Sequence, residues 1–247
     1  MIPLPEHRRH ISPVSLLHRP RHILVPKRAC ERTRTNCIVE VMKSENLQGK
    51  HIRLEPLEHR HVDGLVKAAA GDHELYQWSP VPQTTEEAAK YVATALAWKD
   101  AGTAVPYATI RVADSAVIGS TRFWNIEHWA WPQGHAFYGR CDADACEIGY
   151  TWLARSSLRT PANTEAKLLM LTHAFEIWKV LRVCLHTDVR NERSRAAIER
   201  IGGKFEGILR AHRMAADFIP RDSARFSIIA AEWPEAKQRL IRLLDRQ

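Results

Sequence analysis

Asn191 and Ser194 stand three residues apart in DVRNERSRAAIERIGGKFEGILR, residues 188–210. A carboxamide and a hydroxyl at that spacing, ahead of a helical run, can do one of two things. Asn191 can serve only as the N-cap of the helix, or both groups can meet a ligand at its start; what precedes them decides. Ala197, Ile198 and Ile201 recur at helical spacing, with Arg193, Arg195, Glu199 and Arg200 opposite them. Gly202-Gly203 stops the helix, because glycine takes the left-handed cap conformation without a Cβ clash. KFEGILR then alternates as a strand does.

Cys141 and Cys146, with His128 or His135, form a second constellation. A C-x4-C pair with distant histidines is a loose match to a zinc site, and ordinary loop cysteines fit it better, so no metal is expected. The five cysteines (Cys30, Cys37, Cys141, Cys146, Cys184) are odd in number and irregularly spaced. That argues against a disulfide framework and for a reducing, cytoplasmic setting. Eight tryptophans in 247 residues point to an aromatic-lined pocket or a bulky core.

The elements that must position these groups lie within one large domain. With 45% hydrophobic and 26% charged residues the chain has globular composition, and no apolar run approaches the roughly 18 residues that span a bilayer. Net charge is +8. Eight Lys/Arg against three Glu place +5 of it in residues 1–41, and the other 206 residues carry +3. A nucleic-acid partner is therefore not expected, and the balance suits an enzyme handling an acidic cofactor. Residues 1–41 hold five Pro and no Gly, with no sustained period; they read as a disordered tail or a non-native start. MKSENLQGKHIRLEPL, from Met42, reads as the proper beginning of a domain spanning 42–247.

HIRLEPL (51–57) alternates as a first strand, and RHVDGLVKAAA (60–70) has helical spacing. Residues 83–102 read as a helix capped by Thr84 or Thr85, with Glu86 and Glu87 at its positive end and Gly102 as its stop. Residues 105–126 give two strands around a turn at ADSA, and 127–145 an exposed loop. EIGYTWLA (147–154) is a strand, and TEAKLLMLTHAFEIWKVL (164–181) a helix with Leu168, Leu171, Ala174, Phe175 and Trp178 on its apolar face. RVCLHTDV (182–189) is the next strand, and RDSARFSIIAAEW (221–233) the last. The fold class is α/β, a mixed sheet around a central βαβ unit.

EIGYTWLA, NTEAKLLMLTHAFE and TDVRNERSRAAIERIGGKFEGILR, in that order and spacing, resemble the GCN5-related N-acetyltransferases (GNAT), in particular the RimJ/RimL-like branch that acetylates ribosomal-protein N-termini. The resemblance covers about residues 48 to 233. It implies the GNAT acyl-CoA N-acyltransferase fold with two splayed parallel strands. It also implies acetyl-CoA as cosubstrate and transfer of acetyl to a primary amine of a protein N-terminus or small molecule.

The resemblance assigns the diphosphate to the start of helix 164–181, where free backbone N–H groups bind anions. The family's glycines are missing there: Arg159, Pro161 and Asn163 occupy those positions. Pro161 has no N–H to give. Either Arg159, Thr160 and Asn163, with Thr164, compensate through their side chains, or the loop has decayed and the protein is a non-catalytic module that binds CoA or another ligand. Backbone groups of Thr151, Trp152 and Leu153 would pair with the pantetheine arm. Asn191 would contact that arm, and Ser194 would face the departing sulfur as general acid. The family's tyrosine acid falls at Ile198, a variant pattern that some members meet with the serine.

Glu147 is the candidate general base, against a reading as a solvated carboxylate at a strand end. Trp78, Tyr107 and Trp124, with Phe123, can line an acceptor pocket or fill the core. The expected partner is the amine acceptor, and the expected assembly a monomer or homodimer.

Overall fold

The computed structural model describes residues 45–246 apart from Asp72 and Ala216; the basic segment 1–41 and the start at Met42 lie outside the described residues. Strands β1 (Leu47–Gln48) and β2 (Ile52–Pro56) precede helices α1 (Val62–Ala69) and α2 (Thr85–Asp100). Then come β3 (Ala104–Arg111), β4 (Val117–Glu127), β5 (Ala145–Leu153), α3 (Ala162–Thr172) and β6 (Arg182–Asp188). Helix α4 (Glu192–Arg200), β7 (Lys204–Met214), β8 (Pro220–Ile229) and α5 (Trp233–Asp245) complete the order.

The expected sequence of elements holds, with β1 and α5 added. The last strand stops at Ile229 and does not run to 233, because Trp233 opens α5 with a proline in its first turn. Thr84, not Thr85, caps α2: its hydroxyl accepts from the Glu87 amide (3.2 Å), and the Glu87 carboxylate accepts from the Thr84 amide (3.3 Å). Helix α3 starts two residues early and continues through a π-helical turn, His173–Ile177.

The eight strands form one sheet in the order β1-β2-β3-β4-β5-β6-β8-β7. Every neighbouring pair is antiparallel except β5 and β6, joined by the α3 crossover. Helices α3 and α5 cover one face, where Leu171, Ala174, Phe175 and Trp178 are buried as the periodicity requires. Helices α1 and α2 cover the other, packing Leu65, Val92 and Ala95 against Ala108, Ile110 and Trp152. Tyr107 and Phe123, both fully buried, stand edge to face at 6.3 Å.

One irregularity shapes everything functional. Strands β5 and β6 pair only through Ala145–Glu147 against Arg182–Cys184. Beyond that point β5 bulges, since Gly149 faces Arg122 and Trp152 faces Ser120, leaving Tyr150 and Thr151 opposite Thr121 alone. Tyr150 adopts a left-handed φ of 52°, which costs an aromatic residue on the order of 1–3 kcal/mol. Its ring is held between Trp98 (5.5 Å) and Trp124 (5.4 Å), with the Arg122 guanidinium 4.3 Å from its centroid. The bulge bends β5 away from β6 and opens a gap between them.

The start of α3 is fixed by a clamp. The Glu165 carboxylate accepts from the backbone amides of Lys50 (2.8 Å), His51 (2.7 Å) and Ile52 (2.7 Å), tying the β1–β2 turn to the first turn of α3. Gly49 is required beside it, because a Cβ there would lie 2.4 Å from the Glu165 carboxyl carbon.

Candidate active site

The gap between β5 and β6 is the floor of a cleft of about 980 Å³. Its walls are the 155–160 loop, the start of α3, one face of α4 and the β7–β8 hairpin. Of the residues singled out in the sequence, it brings together Glu147, Thr151, Trp152, Leu153, Arg159, Thr160, Asn163, Asn191, Ser194 and Trp78.

Three of the expected residues do not line it. Tyr107 is fully buried, with its hydroxyl unpartnered. Its central strand β3 is covered on both faces, so its side chain fills the core. Trp124 stands behind the cleft wall, with Tyr150 on one side and the Arg213 guanidinium 4.5 Å from its ring. Thr164 is fully buried and receives the Arg200 guanidinium at 3.5 Å. Trp78 does line the cleft, though Arg190 lies 4.4 Å over its ring and shields that face.

The loop before α3 keeps a glycine's conformation with an arginine: Arg159 has φ 59° and an exposed side chain. The Thr160 hydroxyl is spent within the loop, donating to the Ser157 carbonyl (2.8 Å) and accepting from the Ala162 amide (3.3 Å). It is a staple, so the expected side-chain compensation rests on Arg159 and Asn163. Pro161 occupies the N-cap and supplies no side-chain cap, which leaves the first-turn amides of Asn163 and Thr164 without intrahelical acceptors. Arg155, Arg159, Lys167, Arg193, Arg200, Arg213 and Arg221 line the cleft, against one acid, Glu147. Such a surface suits a polyanion carrying phosphate groups.

Both readings of Asn191 are compatible with the geometry. Its Oδ1 accepts from the Ser194 amide at 3.0 Å, capping α4, and the residue also lines the cleft. Ser194 follows in the first turn, and buried Ile198 is on the same wall. Leu153 has its carbonyl taken by the Tyr76 hydroxyl at 3.1 Å.

Glu147 is not a solvated strand end. It is 2% exposed, 3.0 Å from His186 Nδ1, and doubly bonded by Arg213 at 3.0 and 3.3 Å. Burial alone would raise its pKa, but the close contacts with His186 and Arg213 outweigh that and hold it down at about 2. A carboxylate so stabilised accepts a proton poorly. His186 also lines the cleft; its Nδ1 meets Glu147 as a close polar contact outside hydrogen-bond geometry, and among the described residues its buried Nε2 has no partner.

His186, Arg213 and Lys167 are the site residues that sequence reasoning missed. A signal existed for Lys167, which falls on the apolar stripe of its helix with Leu171, Ala174 and Trp178. Nothing in the sequence singles out His186 or Arg213, because their partner Glu147 lies 39 and 66 residues away. Cys146 is a strand residue and not a loop cysteine, and burial pushes its thiol well above the ordinary range. Cys184 is also a buried free thiol. Among the described residues no three His, Cys, Asp or Glu side chains are grouped to hold a metal ion.

The chain belongs to the GNAT acetyltransferase domain family, whose model matches residues 51–204. Over 91 residues it is 35% identical to YdaF of Bacillus subtilis (strain 168), named as a ribosomal N-acetyltransferase. That match covers 37% of the chain and 49% of YdaF, so the chain spans about half the length of this curated relative. A GCN5-related N-acetyltransferase structure from Brucella melitensis superposes with a TM-score of 0.69 at 28% identity, covering 81% of this chain and 85% of that one. RimJ of Mycobacterium smegmatis, solved in complex with CoA-disulfide, gives a TM-score of 0.63 over 78% and 88% of the two chains. Its 23% identity establishes likeness of fold alone.

Proposed function

We propose that the chain binds acetyl-CoA in the β5–β6 cleft and transfers its acetyl group to a primary amine, on a protein N-terminus or a small molecule. The observation that carries this reading is the splay itself: a gap in the sheet that opens beneath a helix N-terminus with unspent amides, ringed by cations. The residues fit the cosubstrate in charge and in donor type. Bound there, acetyl-CoA supplies an activated thioester carbonyl and a thiolate leaving group.

The chain's own groups divide the remaining work. The Asn163 and Thr164 amides and the Arg159 guanidinium hold the diphosphate. Backbone groups of Thr151 and Trp152 hold the arm, with Asn191 contacting it from α4 while capping that helix. His186 takes the proton from the acceptor amine through Nε2, and Glu147 orients the ring and stabilises the imidazolium. Arg213 keeps Glu147 ionised and in place. The Ser194 hydroxyl faces the departing sulfur and donates to it.

The test is calorimetric titration of acetyl-CoA, then thiol release over a panel of amines that includes peptides with free N-termini. Binding followed by acceptor-dependent thiol release supports the proposal. Binding without release from any amine would favour a CoA-binding module, and absence of binding would sink both. YdaF's name argues for peptide N-termini in the first panel. Among the described residues no helix is long and apolar enough to cross a membrane, and we place the reaction in the cytoplasm.

A further inference from the structure

Lys167 is a buried amine in the cleft that the chemistry proposed above does not use. It stands in the second turn of α3, on the face that packs against the sheet, and is 6% exposed. Its Nζ reaches into the opening beside β5 and donates to Thr151 Oγ1 at 2.7 Å. The Thr151 hydroxyl lies 2.7 Å from that of Thr121, which points on to Met170 Sδ at 3.5 Å. An ammonium has three N–H donors, and this chain of weak acceptors accommodates one of them.

Among the described residues no carboxylate answers the charge. Glu165, on the same helix, is turned to the β1–β2 amides. Glu147 on β5 is held by His186 of β6 and Arg213 of β7. Arg200 of α4 is turned to Thr164. Arg155, Arg159, Arg193 and Arg221, with Tyr76, Tyr91 and Tyr150, are the other titratable groups lining the cleft, and the arginines can only repel. A buried ammonium with donors to spare is an unfinished arrangement, because each unsatisfied donor costs free energy.

We propose that Lys167 is a cofactor-binding residue whose ammonium donates to an amide carbonyl of the pantetheine arm lying between β5 and β6. This rests on the reading that acetyl-CoA occupies the cleft. The position fits the arm and not the phosphates: Lys167 is four residues beyond Asn163, roughly 6 Å deeper along the helix axis at 1.5 Å per residue. It also touches Thr151, on the strand assigned to the arm.

The charge state makes the proposal testable. Burial lowers the Lys167 pKa to about 7, so near neutral pH the free protein holds a mixture of ammonium and amine. A carbonyl acceptor stabilises the ammonium and raises that pKa, so binding takes up protons. A ligand that merely covers Lys167 deepens its burial, and binding then releases protons. The sign separates the two.

The experiment is calorimetric titration of the full chain with CoA at pH 7, in buffers of different ionisation enthalpy, for wild type and Lys167→Met. Protonation of CoA's own phosphates is common to both and cancels. Wild type should take up more protons than the variant, by up to about half a proton per site, and bind CoA about tenfold more tightly. Adenosine 3′,5′-bisphosphate, which lacks the arm, is titrated into both proteins as a control and should give wild type no such excess. Tight CoA binding with no excess uptake, or with excess release, overturns the role of Lys167 alone. Failure of wild type to bind CoA overturns the cofactor reading with it.

Discussion

The two ends of the cleft are built oppositely. At the apex, where β5 and β6 still pair, Glu147, His186 and Arg213 are packed together, with Glu147 2% exposed and its oxygens fully engaged. At the mouth, Arg159 is exposed and the first turn of α3 has no side-chain cap. Groups already partnered inside the protein are positioned before a ligand arrives, which suits proton transfer in a transition state. Groups left open at a helix end wait for an anion. The second helix facing the cleft shows the contrast within one element type, because α4 is capped by its own Asn191 and offers the ligand side chains in place of amides. The expectation is that changes at the apex alter rate and changes at the mouth alter affinity.

The largest effect should come from His186→Ala. It should lower kcat by about 10²–10⁴-fold while acetyl-CoA affinity stays within about twofold; steady-state kinetics beside a cofactor titration measures both. Unchanged kcat would return the apex to a purely structural ion-pair cluster. Ser194→Ala should also act on kcat, by about 10²-fold, since a thioester sulfur accepts a hydrogen bond poorly until it departs as thiolate. A serine variant at full rate would leave Ser194 as a first-turn residue of α4.

Arg159→Ala should do the reverse. Losing a hydrogen bond to a charged group weakens CoA binding by about 10–100-fold, with kcat at saturation nearly intact. Dephospho-CoA, which keeps the diphosphate, should suffer the same loss. Equal affinity in wild type and variant would show that the α3 amides suffice without the arginine.

Two smaller effects bear on how the ends are held. The Glu147 carboxyl has its pKa lowered from 4.5 to about 2, so its stabilisation is complete above 4.5 and drains as pH falls toward 2. Glu147→Gln should therefore flatten the fall in Tm between pH 5 and 3, and an unchanged profile would mean that other carboxylates govern acid unfolding. Asn191→Ala should cost about 1 kcal/mol of stability from the lost cap, together with a modest weakening of CoA binding. Thermal denaturation with and without CoA separates the two roles of this residue.

Much of the architecture was legible because it depends on local patterns. The helical stripe of Leu171, Ala174, Phe175 and Trp178, the alternation of EIGYTWLA, and Gly202 with its φ of 101° each report on a few neighbouring residues. Helix α5 was missed where a strand runs straight into a tryptophan and a proline. The site divides the same way. Asn191 and Ser194 could be read as a pair because a helix start fixes what residues three apart can do.

Whether they face a cleft is set by packing, and so is the burial of Glu147. A carboxylate near a strand end is solvated or buried according to what the rest of the chain brings to it. Here β6 and β7 bring a histidine and an arginine from far along the sequence. Most of the element order, the apolar faces and the helix stops follow from local sequence, since backbone sterics and side-chain periodicity act over a few residues. That Tyr107 fills the core, that Thr160 staples a loop and that Lys167 lies beneath the splayed strands against a threonine hydroxyl follow only from the assembled fold, because burial and charge pairing are set by residues that meet only once the sheet is assembled.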